Sequence, residues 1–242
     1  IQSSATVTST SGDLRVTVNG SETGDISGVI ATAGEIEKLG SGLLTLSAIN
    51  TNSGDTTVTG GTLYVTGSLY CDVNCGPEPH TNKAAVVTVA SGATLAMDDW
   101  SWGGGLGELY FDNDQLIIDG GTLKYTGSGA GSGEMYRGFT VTANGATFES
   151  VNAGELWDLK RHANNNAGYH PIWHGSVVFT GDGDFTTDQL ISGAVTVTKS
   201  GNGTLPLANA ANTYNGGTVV TAGELIAAGS GDVLGSGSVT LH

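Results

Sequence analysis

Two stretches of this chain repeat one another. The first begins at Ile26 with ISGVIATAGEIEKLGSGLLTLSAINTNSGDTTVTGGTLYV, and the second begins at Ile191 with ISGAVTVTKSGNGTLPLANAANTYNGGTVVTAGELIA. Their anchor residues align in order, with a one-residue gap before the last two pairs: Lys38 with Lys199, Gly40 and Gly42 with Gly201 and Gly203, Leu46 with Leu207, Gly61 with Gly223, and Leu63 with Leu225. Self-similarity of this kind is the signature of a repeat architecture, so it constrains the fold more than any local motif does.

A shorter unit, a glycine followed within two residues by a strand-like run, recurs through the chain. Apolar and polar residues alternate in these runs, as in GGTLYV from Gly60 and GGTLKY from Gly120, which indicates strands with one buried face. Successive glycines of this unit lie 24 to 31 residues apart, which matches one coil of a parallel β-helix. Antiparallel β-sandwiches and barrels also contain short alternating strands with glycine turns, and they are the alternative, although their spacing is that of hairpins.

We therefore predict an all-β chain that forms a single β-solenoid domain over residues 1–242. Repeat-like coils are expected over 26–68 and 189–229, and diverged coils with aromatic and charged loop excursions over 69–188. The inward Leu, Val and Ile side chains of each coil are expected to stack on those of the next, about 4.8 Å along the axis.

The two copies resemble a known family. GSGLLTLSAINTNSGDTTVTGGTLYV (residues 40–65) and GNGTLPLANAANTYNGGTVVTAGELIA (201–227) are similar to the autotransporter-associated β-strand repeat, also called the passenger-associated transport repeat. The first copy departs from the family pattern at Leu43, which replaces a threonine, at Asn52, which replaces a tyrosine, and at Asp55, which replaces a glycine. The second copy follows the pattern through Lys199, Gly201, Gly203, Thr204, Leu205, Leu207, Asn212, Thr213, Tyr214, Gly216, Gly217, Thr218, Gly223 and Leu225.

This resemblance implies a right-handed parallel β-helix in a secreted or surface-displayed bacterial protein. It implies no catalytic residues. The family's usual roles are those of adhesin-like or structural surface proteins, so we expect an extracellular or cell-surface location.

The charge of the chain restricts its partners. Only 8 Lys and Arg residues stand against 23 Asp and Glu residues, for a formal net charge of -15. Such a surface repels phosphate backbones and anionic lipids, so we predict no nucleic-acid partner. No stretch approaches the roughly 20 apolar residues of a membrane helix, so we predict no membrane insertion.

The two cysteines, Cys71 and Cys75, lie in the probable loop SLYCDVNCGPEPH. A disulfide across so short a loop is possible where the chain turns back, and an exported protein would favour it. The alternative is a zinc site with His80, which would still need another ligand.

The segment between the copies holds all four tryptophans. Aromatic faces can pack on sugar rings while polar groups bind the hydroxyls, so these residues are candidates for a ligand or partner face. In the alternative interpretation the same aromatic residues pack against the solenoid or fill an intersubunit contact. The candidates are Trp100, Trp102, Tyr110, Trp157, Arg161 and Trp173.

Catalytic and metal sites have weaker support. Asp98, Asp99, Asp112 and Asp114, with Lys160 and Arg161, are residue types that a polysaccharide lyase or glycosidase needs, but no matching catalytic signature is present, and we predict no enzyme. Histidines at 162, 170 and 174 with Asp158 form a permissive zinc or copper set in a loop-like segment, and we expect structural or surface histidines. No cofactor is predicted, although calcium is possible at the acidic turns that contain Asp112, Asp114, Asp182 and Asp184.

The ends of a solenoid expose unpaired backbone groups, and neither end here shows a recognisable capping helix. The chain is either a piece of a longer protein or pairs through its ends. For the second case we predict that the strand near Val239 and Leu241 of one copy pairs with the strand near Val16 and Val18 of another. A head-to-tail contact that does not close propagates into a filament.

Two functions therefore compete. The first is a non-enzymatic structural or adhesive protein of a bacterial surface, whose partners are copies of itself or other surface proteins. The second is a carbohydrate-binding or polysaccharide-degrading module that contacts glycans through the Trp-rich middle segment.

Overall fold

The computed structural model describes residues 6–10, 12–70, 85–100, 105–106, 115–127, 133–135, 138–159 and 171–242. Within these ranges no helix is long and apolar enough to cross a membrane. The described residues are arranged as strands and turns in three sheets, which we name A, B and C.

Sheet A contains, in spatial order, β1 (Thr6–Thr10), β2 (Asp13–Thr17), β4 (Ile36–Leu39), β6 (Thr56–Val58), β8 (Val87–Ala90), β10 (Leu116–Asp119), β12 (Thr140–Val141) and β15 (Ile172–Trp173). Sheet B contains β3 (Thr23–Ile26), β5 (Leu43–Leu46), β7 (Gly61–Val65), β9 (Ala93–Met97), β11 (Thr122–Tyr125), β13 (Ala146–Ser150), β16 (Val177–Thr180), β18 (Val197–Lys199), β20 (Thr218–Val220) and β22 (Val239–Leu241). Sheet C contains β14 (Leu156–Leu159), β17 (Asp184–Thr187), β19 (Thr204–Leu207) and β21 (Glu224–Ala227).

Neighbouring strands of one sheet come from successive coils. Among the described strands, every pair is parallel except β1 with β2. Ile36 pairs with Thr56, about 20 residues later, whereas Leu63 pairs with Leu95, about 30 residues later, so coils are shorter inside a repeat copy. This is the predicted parallel β-helix, and the antiparallel alternative is excluded because parallel neighbours cannot be joined by hairpins.

The core follows from the two-residue alternation within each strand. One column of side chains points inward from sheet B, and every member is buried; it changes from leucine to phenylalanine along the axis: Leu44, Leu63, Leu95, Leu123, Phe148 and Phe179. The preceding residue in β7, β9, β11 and β13 is a threonine on the outer face. Each coil therefore completes the hydrophobic core of its neighbours.

The first coil differs from the prediction of an open end. Strand β2, which carries Val16, pairs with β4 on one side and antiparallel with β1 on the other. Val16 and Val18 are both buried. The predicted end-to-end pairing through this strand is therefore corrected, because β1 already occupies its edge.

At the other end of the described stack, β22 pairs with β20 on one side. The side chains of Val239 and Leu241 continue the inward columns of sheet B and are 49% and 74% exposed. The two edges that were expected to pair are therefore not equivalent: one is covered, and the other carries exposed apolar side chains.

Replacing Leu63 with Asp should lower the free energy of unfolding by at least about 3 kcal/mol, since it buries a carboxylate between two leucines. Thr62→Asp, the adjacent outward position in the same strand, is the matched control and should change it by less than about 1 kcal/mol. Urea unfolding followed by circular dichroism measures both. Equal losses in the two variants would contradict the assignment of inward and outward faces.

Candidate functional site

A buried lysine marks the corner between sheets A and B in the first repeat copy. Lys38 occupies an inward position of β4, between Val16 and Val58 of the neighbouring coils, and its side chain is fully buried. Its Nζ donates hydrogen bonds of 2.9 Å to the carbonyl oxygens of Leu39, Gly40 and Gly60. Because Gly60 belongs to the following coil, the ammonium group joins two coils where their backbones leave the sheet.

Lys199 takes the equivalent place in the second copy and bonds the carbonyls of its own corner. Its buried Nζ donates to the carbonyl oxygens of Ser200, at 2.6 Å, and Gly201, at 2.8 Å. Burial lowers the pKa of both lysines below the ordinary value, and at Lys199 the nearby Asp184 carboxylate partly opposes this shift. A buried ammonium group without acceptors would be strongly unfavourable, so the corner carbonyls are what make a lysine tolerable there.

Glycine is required where the corners of successive coils stack. Gly61 has a φ of +61°, and a Cβ on it would lie 2.4 Å from the carbonyl oxygen of Gly42 in the preceding coil. Gly223 takes the equivalent place in the second copy, with a φ of +71° and a Cβ that would lie 2.3 Å from the carbonyl oxygen of Gly201. The paired glycines of the two copies thus have a steric cause.

Two buried asparagines connect three successive coils each. Oδ1 of Asn50 accepts from the backbone nitrogen of Ile30 at 2.8 Å, and its Nδ2 donates to the carbonyl oxygen of Ser68 at 2.7 Å. Asn212 does the same in the second copy: it accepts from Ile191 N at 2.9 Å and donates to the carbonyl oxygen of Val233 at 2.7 Å. We call these two side chains the asparagine rungs.

The first copy compensates for the loss of the family's tyrosine. In the second copy, the buried Tyr214 hydroxyl lies 2.7 Å from Thr218 Oγ1. In the first copy Asn52 stands at that place, but Tyr70 of the next coil enters the core and donates to Thr56 Oγ1, the equivalent threonine, at 3.1 Å. A tyrosine hydroxyl therefore satisfies the buried threonine in both copies.

The two copies lie on different sides of the solenoid. The first copy places its lysine strand β4 in sheet A and the following strand β5 in sheet B, whereas the second places β18 in sheet B and β19 in sheet C. The second copy is thus advanced by one sheet around the axis. Its lysine, glycine and asparagine contacts lie within the copy and the coils next to it, so the same unit occurs on either pair of sheets.

The described tryptophans of the predicted ligand face lie in the interior. Trp100, Trp157 and Trp173 are all buried, and the ring centroids of Trp100 and Trp157 are 5.3 Å apart. Trp173 packs edge-on against Phe139 at 5.2 Å and donates from Nε1 to the carbonyl oxygen of Leu190 at 2.8 Å. This placement corrects the expectation of accessible rings at these three positions and agrees with the packing alternative. Trp102, Tyr110 and Arg161 lie outside the described residues.

Acidic residues of the same segment surround a buried tyrosine. Burial raises the pKa of the Tyr125 hydroxyl, and the carboxylates of Glu155, Asp99 and Asp98 add to the rise. The structure thus places the half-buried Asp98 and Asp99 close enough to Tyr125 to affect its pKa.

The candidate calcium ligands among the described residues bind protein groups. Asp182 Oδ1 accepts from Asn202 Nδ2, and Asp184 Oδ1 accepts from the backbone nitrogen of Thr204, each at 2.7 Å and each from the next coil. No group of three or more metal-ligating side chains occurs in the part of the chain that the structure describes. Asp112 and Asp114, the cysteines Cys71 and Cys75, and the histidines 162 and 170 lie outside that part, while His174 is exposed and Asp158 is buried.

All four described cations have partners within the solenoid. Lys38 and Lys199 bind corner carbonyls, as above. Arg15 Nε pairs with Glu37 and Lys124 Nζ with Glu149, each at 2.9 Å and each between adjacent coils. The outer surface of the described coils therefore presents mainly carboxylates, consistent with the net charge of -15.

Comparison with known proteins agrees with this geometry. Residues 36–65 and 197–227 match the family model of the Passenger-associated-transport-repeat. Two segments of the chain are thus similar to this repeat. Their bounds include the corner lysine, the glycine pair and the asparagine rung of each copy, so the resemblance found in the sequence is confirmed.

One similar protein is the Adhesin BmaC autotransporter of Brucella suis biovar 1. The two are 32% identical over 157 residues, which cover 64% of this chain and 4% of that protein. The chain thus spans a small part of the length of this relative. No solved structure matches the chain at a significant level.

Sequence reasoning missed the buried lysines and the asparagine rungs as structural groups. The available signal was a lysine on the inward phase of an alternating strand in both copies. An asparagine also follows the second strand of each copy. These residues, Asn50 and Asn212, align when the one-residue gap between the copies is placed before them.

Substituting Asn50 with Ala should lower the free energy of unfolding by about 2 to 3 kcal/mol, because it leaves the buried Ile30 N–H without its partner and removes one of the two hydrogen bonds to the Ser68 carbonyl. Asn209→Ala is the matched control: Asn209 also bonds two backbone groups, Asp188 O and Ala211 N, but at an exposed position. Chemical denaturation should show a loss below about 1 kcal/mol for the control. A similar loss in both variants would contradict the role of burial.

Tyr70 should make the protein less stable at alkaline pH. Burial raises the pKa of its hydroxyl above the ordinary value, and Asp55 adds to the rise, so the folded state keeps the proton while the unfolded state loses it above about pH 10. The stability advantage of the parent over Tyr70→Phe should therefore be constant below that pH and fall by about 1.4 kcal/mol per pH unit above it.

Unfolding midpoints of both proteins across the alkaline range measure this difference. The two lysines with lowered pKa are common to both proteins, so their effect cancels in the comparison. A difference that does not change with pH would contradict the burial of the Tyr70 hydroxyl.

Proposed function

We propose that this chain is a β-helical part of a bacterial adhesin, displayed outside the cell, with a structural and adhesive role and no catalytic one. The observation that carries the proposal is that the buried lysine and asparagine side chains of the repeat bond backbone groups of the solenoid. Lys38, Asn50 and Asn212 bond backbone groups of neighbouring coils, and Lys199 bonds the carbonyls of its own corner. The chemistry of these residues therefore serves the stacking of a rod and leaves the lateral surface free to vary.

The comparisons support the same role. The similar region of the Brucella adhesin covers more than half of this chain, and each of the two repeat copies matches the Passenger-associated-transport-repeat. A rigid stack that projects a surface from the cell suits adhesion, because the rod holds its contact surface in place and its sides can diverge without loss of the fold.

The described surface favours certain partners. Of its four cations, Lys38 and Lys199 are buried, and Arg15 and Lys124 are paired with carboxylates on the surface. Attraction at this surface would therefore be strongest for a cationic partner. Association of copies through lateral faces stays a prediction, and sedimentation velocity over a range of concentrations tests it.

Adhesion can be measured by displaying the chain on a non-adherent bacterial strain and counting the cells retained on host-cell monolayers. The display strain should be retained at least about threefold more than a strain that displays an unrelated β-helix of similar negative charge, and free purified chain should compete. Retention equal to that of the control strain, or retention that the free chain does not lower, would overturn the proposal. Retention that falls with added salt would support a cationic partner.

A further inference from the structure

The chain contains four Asn–Gly dipeptides, and all of them lie in described turns or corners of the solenoid. They are Asn19–Gly20, Asn144–Gly145, Asn202–Gly203 and Asn215–Gly216. All four asparagine side chains are on the exposed side of the molecule. Asn–Gly is favoured at tight turns because glycine accepts the required backbone angles.

The same dipeptide is chemically labile. The backbone nitrogen of the glycine attacks Cγ of the asparagine, a C–N bond forms, and the side-chain nitrogen leaves as ammonia after taking up the amide proton. Water then opens the five-membered succinimide to aspartate or isoaspartate. The attack needs a glycine nitrogen that is free of its hydrogen bond and a backbone that can rotate, so a stable hydrogen bond from that N–H slows the reaction.

Three of the four glycine nitrogens donate to backbone carbonyls. Gly203 N bonds the carbonyl oxygen of Gly181, and Gly216 N bonds that of Val195, each at 3.1 Å and each in the preceding coil. Gly145, which is itself buried, donates to Thr142 O at 3.0 Å. The bonds of Gly203 and Gly216 join stacked coils and open only when neighbouring coils separate, whereas the bond of Gly145 lies within its own turn and is shielded by the burial of that glycine.

Two of these asparagines have their side chains held as well. Asn144 Nδ2 donates to Asp119 Oδ1 at 2.8 Å, and Asn202 Nδ2 donates to Asp182 Oδ1 at 2.7 Å. The carboxamide that would be attacked is thus bonded to a carboxylate of the adjacent coil, which further restricts its approach to the glycine nitrogen.

The glycine nitrogen of Asn19–Gly20 is held by a weaker hydrogen bond. Gly20 N donates to a side-chain oxygen, Ser41 Oγ, at 3.0 Å, and Asn19 and Gly20 are both exposed. An exposed hydroxyl exchanges readily with water and frees the N–H far more often than a carbonyl in the coil stack does. We infer that Asn19 is the site of spontaneous deamidation in this chain and that coil stacking protects the other three asparagines.

The expected product has a local consequence. Aspartate adds a negative charge at the turn between β2 and β3, whereas isoaspartate also lengthens the backbone by one atom there. Asn19 lies against Gly40, whose carbonyl oxygen Lys38 binds, so the change is expected at the corner of the first copy and not at the corner of Lys199.

Incubation of the folded chain at mildly alkaline pH, followed by peptide mapping with mass spectrometry, measures the modified fraction at each of the four sites. Asn19 should react at least about threefold faster than any of the other three, and all four should react at similar rates in denaturant. Ser41→Ala should accelerate the reaction at Asn19 by about twofold or more and leave the other sites unchanged.

Ser47→Ala is the matched control, because Ser47 is also an exposed serine whose Oγ bonds the preceding coil, at Asp25 Oδ1 (3.4 Å), but in a hydrogen bond that involves no Asn–Gly pair. It should change none of the four rates. Faster reaction at Asn144, Asn202 or Asn215 than at Asn19 in the folded chain would overturn the inference. No acceleration at Asn19 in Ser41→Ala would equally overturn it, since the hydrogen bond from Gly20 N to Ser41 would then not be what slows the reaction.

Discussion

The fold depends on satisfying the backbone at the corners, where each coil leaves one sheet and enters the next. Within the sheets, parallel neighbours pair their N–H and C=O groups automatically, but a corner has no such ladder. In each repeat copy a buried lysine binds the corner carbonyls, and a buried asparagine bonds backbone groups of the coils on both sides. Stacked glycines allow these corners to approach closely.

The diverged coils between the copies use a different means of holding together. Their core is aromatic. The ring centroid of Phe148 lies 5.8 Å from that of Trp157 and 5.3 Å from that of Phe179, on which it stacks, and the ring centroids of Trp157 and Phe185 are 5.8 Å apart. These rings lie in coils that contribute strands to all three sheets, as β12, β13 and β14 do. The aromatic residues that suggested a ligand surface thus provide the hydrophobic core of the middle coils.

Much of this could be predicted from the sequence, because it depends on local spacing. Two-residue alternation identifies strands, coil-length spacing of glycines indicates parallel stacking, and the paired copies identify the repeat. The burial of Trp100, Trp157 and Trp173 could not be predicted in this way, since they lie in segments with no clear alternation and composition alone does not say which face is inside. The pairing of β1 with β2 could not be predicted either, because an antiparallel first strand looks like any other alternating run.

The sequence by itself determined the strand pattern, the parallel stacking and the positions of the corner residues, because each follows from spacing within about one coil. The coils of about 20 residues inside the repeat copies, however, are shorter than the glycine spacing of the middle segment predicted. Only the tertiary structure decided what the corner residues contact. It showed that a lysine and an asparagine are inside, that Tyr70 of one coil takes the role of a tyrosine missing from another, and that the second copy is advanced by one sheet around the axis. The physical reason is that these contacts join residues of different coils, and their geometry depends on the stacking of the intervening chain.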